Sequence, residues 1–177
     1  MRGNVFWGAV GALLCLSGPV AAQQSSLCAP GERVLFSCSL QQTKKLVSLC
    51  TSQNLSPTSG YLQYRFGVPG KVELDYPPGK AFAKGRLGLV RTQFLRSASY
   101  GVEFSSKGYD YALSYVASGP DPKDDSYVLS VTKPKSDTPL FSDSCDKADI
   151  HGKDAFYPLE PLAKKLGVKV LERDEEN

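Results

Sequence analysis

The chain has 177 residues and a formal net charge of +3, from 21 lysines and arginines against 18 aspartates and glutamates. A balance this even does not indicate the strongly basic surface of a nucleic-acid-binding protein, and no low-complexity linker divides the chain. Length and composition therefore predict one domain with its own core.

The N-terminal segment has the pattern of an export signal. Arg2 precedes an apolar run over residues 5–17, which is too short to span a bilayer comfortably. A Gly-Pro breaker and two alanines follow, as at a signal-peptidase site. We predict a signal peptide over residues 1–22, cleaved before Gln23, and a single domain over residues 23–177. Its charge is +2, because Arg2 is the only charged side chain removed.

Cys15 raises the alternative of a lipid-anchored protein. A lipobox needs a small residue directly before the cysteine, and Leu14 occupies that place. We therefore expect no stable membrane insertion once the leader is removed, and a mature protein that is periplasmic or secreted.

Four cysteines stay in the mature chain, and an even number in an exported protein predicts two disulfides. Three connectivities are possible. The four are Cys28, Cys38, Cys50 and Cys145.

Strand parity favours one of these connectivities. Cys38 is in phase with Val34 and Phe36, so its sulfur points inward if those two side chains face the core. Cys145 is then a plausible partner across the core, which pairs the other two cysteines with each other. The hairpin alternative, Cys38 with Cys50, remains open.

Short runs rich in β-branched and aromatic residues recur along the mature chain, separated by turn-forming clusters. About eight strands at this spacing predict an all-β fold, an antiparallel barrel or sandwich. The predicted strands cover residues 33–40, 46–51, 61–66, 71–76, 87–95, 100–104, 109–117 and 127–133.

The most regular pattern is a hairpin formed by residues 61–66 and 71–76. Polar and apolar residues alternate in both runs, which is typical of strands with one face in water. The Gly-Val-Pro-Gly segment between them supplies the backbone angles of a tight turn.

The C-terminal region predicts a short helix with Gly167 as its C-terminal cap. Residues 168–171 favour a last strand, and residues 172–177 a solvated tail. The apolar residues at helical spacing are Leu159, Leu162, Ala163 and Leu166.

We find no arrangement of residues that predicts catalysis. His151 lies between Asp149 and Asp154, but the chain has no G-x-S-x-G nucleophile turn and no phosphate-binding loop. It also has no C-x-x-C pair of the kind that binds zinc. We therefore predict a protein that is not an enzyme and needs no metal or cofactor.

Aromatic and basic residues interleave at Tyr61, Tyr64, Arg65 and Phe66, as they do in proteins that bind single-stranded nucleic acid. The export signal and the nearly balanced charge argue against such a partner. We interpret these aromatic residues as core and cross-strand packing instead.

The segment from residue 96 to residue 115 is the most informative. Ser97 and Ser99 lie at the mouth of a predicted strand, directly before Tyr100. A tight Ser-Lys-Gly turn ends that strand, so Lys107 lies at a loop tip beside Gly108, able to extend into solvent or into a partner's cleft.

This segment resembles the signature of the bacterial periplasmic and lipid-anchored inhibitors of chicken-type lysozyme. That family has an S-G-x-x-Y stretch, a strand and a lysine-glycine turn. The pieces that resemble them here are residues 97–100, which are one residue shorter than that stretch and have Ala98 in place of the glycine, and residues 106–108. The resemblance implies a small antiparallel β-barrel in which an early cysteine bonds one near the end, the places of Cys38 and Cys145.

The resemblance also implies a mechanism. Ser97 or Ser99, and Lys107, would enter the lysozyme cleft and contact its catalytic acids, with Tyr100 and Gly108 as neighbouring contacts. The alternative is a non-enzymatic structural or assembly protein of the cell envelope.

Overall fold

A computed structural model describes residues 25–80 and 85–174. The predicted signal peptide and its cleavage site lie outside these residues. The described chain forms ten strands and one α-helix. They are β1 (Arg33–Leu40), β2 (Leu46–Thr51), β3 (Leu62–Val68), β4 (Lys71–Tyr76), β5 (Gly88–Gln93), β6 (Ala98–Ser106), β7 (Tyr109–Ala117), β8 (Ser126–Thr132), β9 (Phe141–His151), α1 (Glu160–Leu166) and β10 (Val170–Asp174).

All ten strands belong to one sheet, in the order β10-β5-β6-β7-β8-β9-β1-β2-β3-β4. Two antiparallel meanders, β1 to β4 and β5 to β8, are joined because β9 pairs with both β8 and β1. The all-β class with one short C-terminal helix is confirmed. The predicted count of about eight strands was wrong by two.

Strand β9 lies outside the predicted strands, whereas the last strand, predicted over residues 168–171, is present as β10. β9 contains three aspartates, which are depleted in strands, together with two serines and one lysine. β10 extends into the predicted solvated tail and pairs parallel to β5. Its Glu172 and Arg173 form ion pairs with Arg91 of β5 and Glu103 of β6, so charged side chains are accommodated at this sheet edge.

The sheet curls into a half-barrel around one core. Tyr76 on β4 stacks on Phe104 of β6 with ring centroids 4.4 Å apart, and Tyr64 on β3 lies 4.9 Å from the same ring. These contacts bring one end of the sheet against its other half. Helix α1 buries Leu162 and Leu166 in the same core, and its end at Gly167 (φ 63°) confirms the predicted cap.

Both disulfides have the favoured connectivity. Cys38 bonds Cys145 and so ties β1 to β9, while Cys28 and Cys50 form the second bond. One premise was wrong: Val34 is 42% exposed, because the pairing of β1 with β2 shifts register between Val34 and Phe36. Phe36 and Cys38 are fully buried, so the conclusion about Cys38 stands.

The predicted β3–β4 hairpin is present, and the polar residues of β4 are exposed as expected, but those of β3 are not in water. Gln63 and Arg65 are 2% and 7% exposed, beneath residues 25–32, which we call the N-terminal strap. The Arg65 guanidinium donates hydrogen bonds to the Leu27 carbonyl and to both carboxylate oxygens of Glu32. The strap therefore converts an apparently solvated face into a second buried layer.

Candidate functional site

The predicted Lys107 turn is a two-residue hairpin connection between β6 and β7. Ser106 and Tyr109 are the last paired residues, and Lys107 and Gly108 have φ angles of 52° and 80°. Positive φ at both central residues is what a type I′ turn requires. Lys107 is exposed, so its side chain extends from the tip of the hairpin.

Lysine at positive φ is a recurrent feature of this protein. Among the residues that the structure describes, the non-glycine residues with positive φ are Lys44, Lys80, Lys107 and Lys135. This conformation costs a residue that has a Cβ about 1–2 kcal/mol, so glycine or asparagine is the usual residue at such positions. Three of these four lysines lie in turns at the same edge of the sheet.

The strand order places four turns side by side along that edge. Counted from β6 to β4, they comprise residues 107–108, 133–140, 41–45 and 69–70. Neighbouring turns are two strand spacings apart, about 10 Å. We call these four turns the basic edge. The lysines in or directly beside them are Lys44, Lys45, Lys71, Lys107, Lys133 and Lys135.

The acidic groups of this edge are mostly engaged. Glu73 binds Lys45 at 2.6 Å. Asp143 is 1% exposed and accepts hydrogen bonds from the backbone N–H groups of Gln42 and Thr43. Burial alone would raise the pKa of Asp143, but these donors hold it below its usual value. Its negative charge therefore fixes the turn that carries Lys44.

The ammonium groups at the tips are not neutralised in the same way. The ion pairs within residues 25–80 and 85–174 do not include Lys44, Lys107, Lys133 or Lys135. Their charges are thus open to a partner.

Apolar groups accompany these charges. A cavity of about 260 Å³ opens between the turns, lined mainly by Phe66, Tyr111, Val131 and Phe141, and the Lys45 ammonium lies 5.1 Å from the Phe66 ring centre. Large apolar side chains are exposed beside the turns as well. They are Val68 (37%), Tyr109 (39%) and Leu140 (58%).

The structure separates the predicted serine contacts from Lys107. Ser99 pairs with Val116 at the far end of β6, eight residues from Lys107 and about 26 Å away along the strand. Ser97 precedes that end, and the ring of Tyr100 packs there against other tyrosines. The serine that lies beside Lys107 is Ser106, which the sequence interpretation did not select.

The other candidate chemical groups have structural partners. Cys28, Cys50 and Glu32 place possible metal ligands within 4.8 Å of one another, but the two sulfurs form a disulfide and Glu32 binds Arg65. Arg65 is thus engaged within the protein. His151 is exposed, with its Nε2 3.7 Å from Asp149.

Comparison with protein-family models, curated proteins and solved structures found no match. Within residues 25–80 and 85–174, no helix has the length and apolar character that crossing a membrane requires.

Proposed function

We propose that this protein is a non-enzymatic inhibitor that works outside the cytoplasm and binds a lysozyme by placing the Lys107 turn in its catalytic cleft. One observation carries the proposal: Lys107 extends from an exposed hairpin tip, with further lysine-bearing turns on the same edge. The two disulfides support an oxidising compartment, the periplasm or the exterior, where lysozymes act.

The chemistry of the partner suits a single ammonium group. Retaining glycosidases such as lysozyme hold two carboxyl groups about 5 Å apart, one of them a general acid with a raised pKa. An ammonium between them reaches both, since charge-assisted N–H···O bonds are about 2.7–2.9 Å long. The positive charge favours the ionised form of both acids, so it removes the general acid and also occupies the sugar site.

The neighbouring turns supply the rest of the contact. Lys44 and Lys135 lie on turns adjacent along the edge, and can pair with acidic groups around the cleft. Exposed charges of this kind increase the association rate more than they increase final affinity. The contacts predicted at the opposite end of β6 remain predictions, and they require a partner that also covers that end. They are Ser97, Ser99 and Tyr100.

The test is inhibition of wall lysis by the mature chain, residues 23–177, titrated against lysozymes of several classes. We expect stoichiometric inhibition of a chicken-type enzyme, weakened by Lys107→Ala at least about tenfold through loss of a buried charge contact. Lys164→Ala is the matched control, because Lys164 is an exposed lysine on α1. The proposal is lost if every lysozyme class is unaffected, or if both variants inhibit like the wild type.

A second candidate is a structural or assembly protein of the cell envelope. Exposed apolar side chains beside the lysines favour this candidate, because an edge that is both apolar and basic also suits packing against a structural protein of the envelope. They are Val68, Tyr109 and Leu140. Capture on immobilised lysozyme distinguishes the two: the assembly protein would not be retained, whereas the inhibitor would.

A further inference from the structure

A second cavity lies at the end of the fold opposite the basic edge. Its volume is about 320 Å³, at the lower limit of small-molecule pockets, which span roughly 300–1,000 Å³. It is lined by strands β7, β8 and β9, by the loop that joins β7 to β8, and by the segment that precedes α1. The proposed contact of the basic edge with lysozyme does not use this cavity.

Tyrosine rings form its apolar walls. Tyr115 and Tyr127 are cross-strand neighbours with ring centroids 5.2 Å apart. Tyr157 lies 6.1 Å from Tyr115 and is 57% exposed, so its ring contributes little to the core and is available at the rim. Tyr100 contacts the Tyr157 ring edge to face at 4.8 Å, which fixes the plane that Tyr157 presents.

The polar groups of the cavity balance in charge. Asp125 is held in place by the Tyr115 hydroxyl and the Ser118 N–H, both of which donate to it. Asp154 adds a second carboxylate, and two lysines add two ammonium groups. The lysines are Lys147 and Lys153.

A lining of this kind selects among ligand classes. An aromatic cage alone would suit a cationic ligand. Here, however, the two lysines repel a cation, and the two carboxylates repel an anion. A ligand with apolar ring faces and many uncharged hydroxyl groups meets both conditions, because hydroxyls donate to carboxylates and accept from ammonium groups. Sugars have this combination of surfaces.

We propose that the tyrosine cavity binds an uncharged pyranose oligosaccharide. One sugar ring stacks on Tyr157, and its hydroxyl groups hydrogen-bond to Asp154 and to the neighbouring lysines. This site is independent of the proposed lysozyme contact, since the two occupy opposite ends of the half-barrel. Either can fail without affecting the other.

The experiment titrates the mature chain with triacetylchitotriose, cellotriose and maltotriose, followed by NMR chemical shifts and calorimetry. We expect saturable binding of at least one, with a dissociation constant of about 1 mM or tighter. Tyr157→Ala should weaken it at least about tenfold, whereas Tyr157→Phe, which keeps the ring, should retain most of it. Lys107→Ala, at the opposite end, should bind like the wild type.

Asp154→Ala is a second variant on an exposed side chain, and it should also weaken binding. The proposal is overturned if no trisaccharide saturates the protein up to about 10 mM. It is likewise overturned if Tyr157→Ala and Asp154→Ala both bind like the wild type, or if choline binds more tightly than every sugar tested.

Discussion

Arg65 and Glu32 form the most buried ion pair of the described chain. Their side chains are 8% and 3% exposed, and the pair is completed by the Tyr61 hydroxyl, which donates to Glu32 at 2.7 Å. Lys80 approaches the same carboxylate at 3.3 Å from an exposed position. One carboxylate therefore has a buried cation and an exposed cation as partners, which provides a matched comparison.

Arg65→Ala should lower the free energy of unfolding by about 3–5 kcal/mol, because it leaves the Glu32 carboxylate buried without its main partner. Lys80→Ala should lower the free energy of unfolding far less, since water replaces an exposed ammonium. Urea unfolding monitored by circular dichroism measures both. Equal losses would contradict the view that burial decides the contribution of each cation.

The same carboxylate predicts how stability depends on pH. Burial alone would raise the pKa of Glu32, but hydrogen bonds from Arg65, Tyr61 and the Ala29 N–H lower it from 4.5 to about 2. A pKa lowered by folding stabilises the protein above the unfolded value, by at most about 3 kcal/mol here. That stability is lost as the pH falls from about 4.5 to about 2.

Glu32→Gln should therefore be less stable than the wild type at neutral pH, yet lose less stability on acidification through this range. The measurement is the free energy of unfolding in urea at a series of pH values. Parallel curves for the two proteins would show that Glu32 does not titrate in this way.

At the scale of elements, β9 connects the two meanders and also orders the basic edge. Its Asp143 accepts from two backbone N–H groups and from the Thr43 hydroxyl, all in the β1–β2 turn. Cys145, two residues later, bonds β1. The position of Lys44 thus depends on a strand that is distant in sequence.

Asp143→Ala should destabilise the protein by about 1–3 kcal/mol, because the three donors lose their acceptor. It should also weaken lysozyme inhibition by loosening the turn that carries Lys44. Asp124→Ala, an exposed carboxylate in the β7–β8 connection at the opposite end of the sheet, is the control and should change neither property. Urea unfolding and inhibition titrations measure the two properties. Equal losses for the control and for Asp143→Ala would contradict the role of Asp143 in holding the β1–β2 turn.

Local patterns predicted the hairpins, the helix cap and the inward position of Cys38, because each depends on neighbours along the chain. Strand β9 was missed because its stability comes from pairing on both sides and not from its own residues. Lys44 and Lys135 were missed as partners of Lys107 for a related reason: only the strand order brings their turns to one edge. Ser99 and Lys107 lie at opposite ends of β6, so the extended strand separates two contacts that the family resemblance had placed together.

For the whole molecule, two disulfides connect very different spans of chain. Cys38–Cys145 closes 107 residues and ties β1 to β9, the strand that connects the meanders, whereas Cys28–Cys50 closes 22 and anchors the N-terminal strap. Loop-closure entropy predicts that the disulfide closing the longer span stabilises the folded protein more, by about 5 kcal/mol compared with about 3 kcal/mol for the other disulfide.

Replacing each pair of cysteines by alanine tests this difference. The Cys38/Cys145 variant should have the lower urea midpoint, and the Cys28/Cys50 variant should keep the sheet while the strap loosens. Faster hydrogen exchange of the β3 amides would show directly that the strap has loosened. A lower midpoint for the Cys28/Cys50 variant would contradict the assignment of the longer bond as the main constraint.

We propose that the basic edge, led by Lys107, binds the acidic cleft of a lysozyme. Calorimetric titration of a chicken-type lysozyme with the wild type and with the combined Lys44→Ala, Lys107→Ala and Lys135→Ala variant tests it most directly. We predict one-to-one binding by the wild type, weakened by salt and lost in the variant. No heat of binding for the folded wild type, or equal affinity for the variant, would contradict the claim.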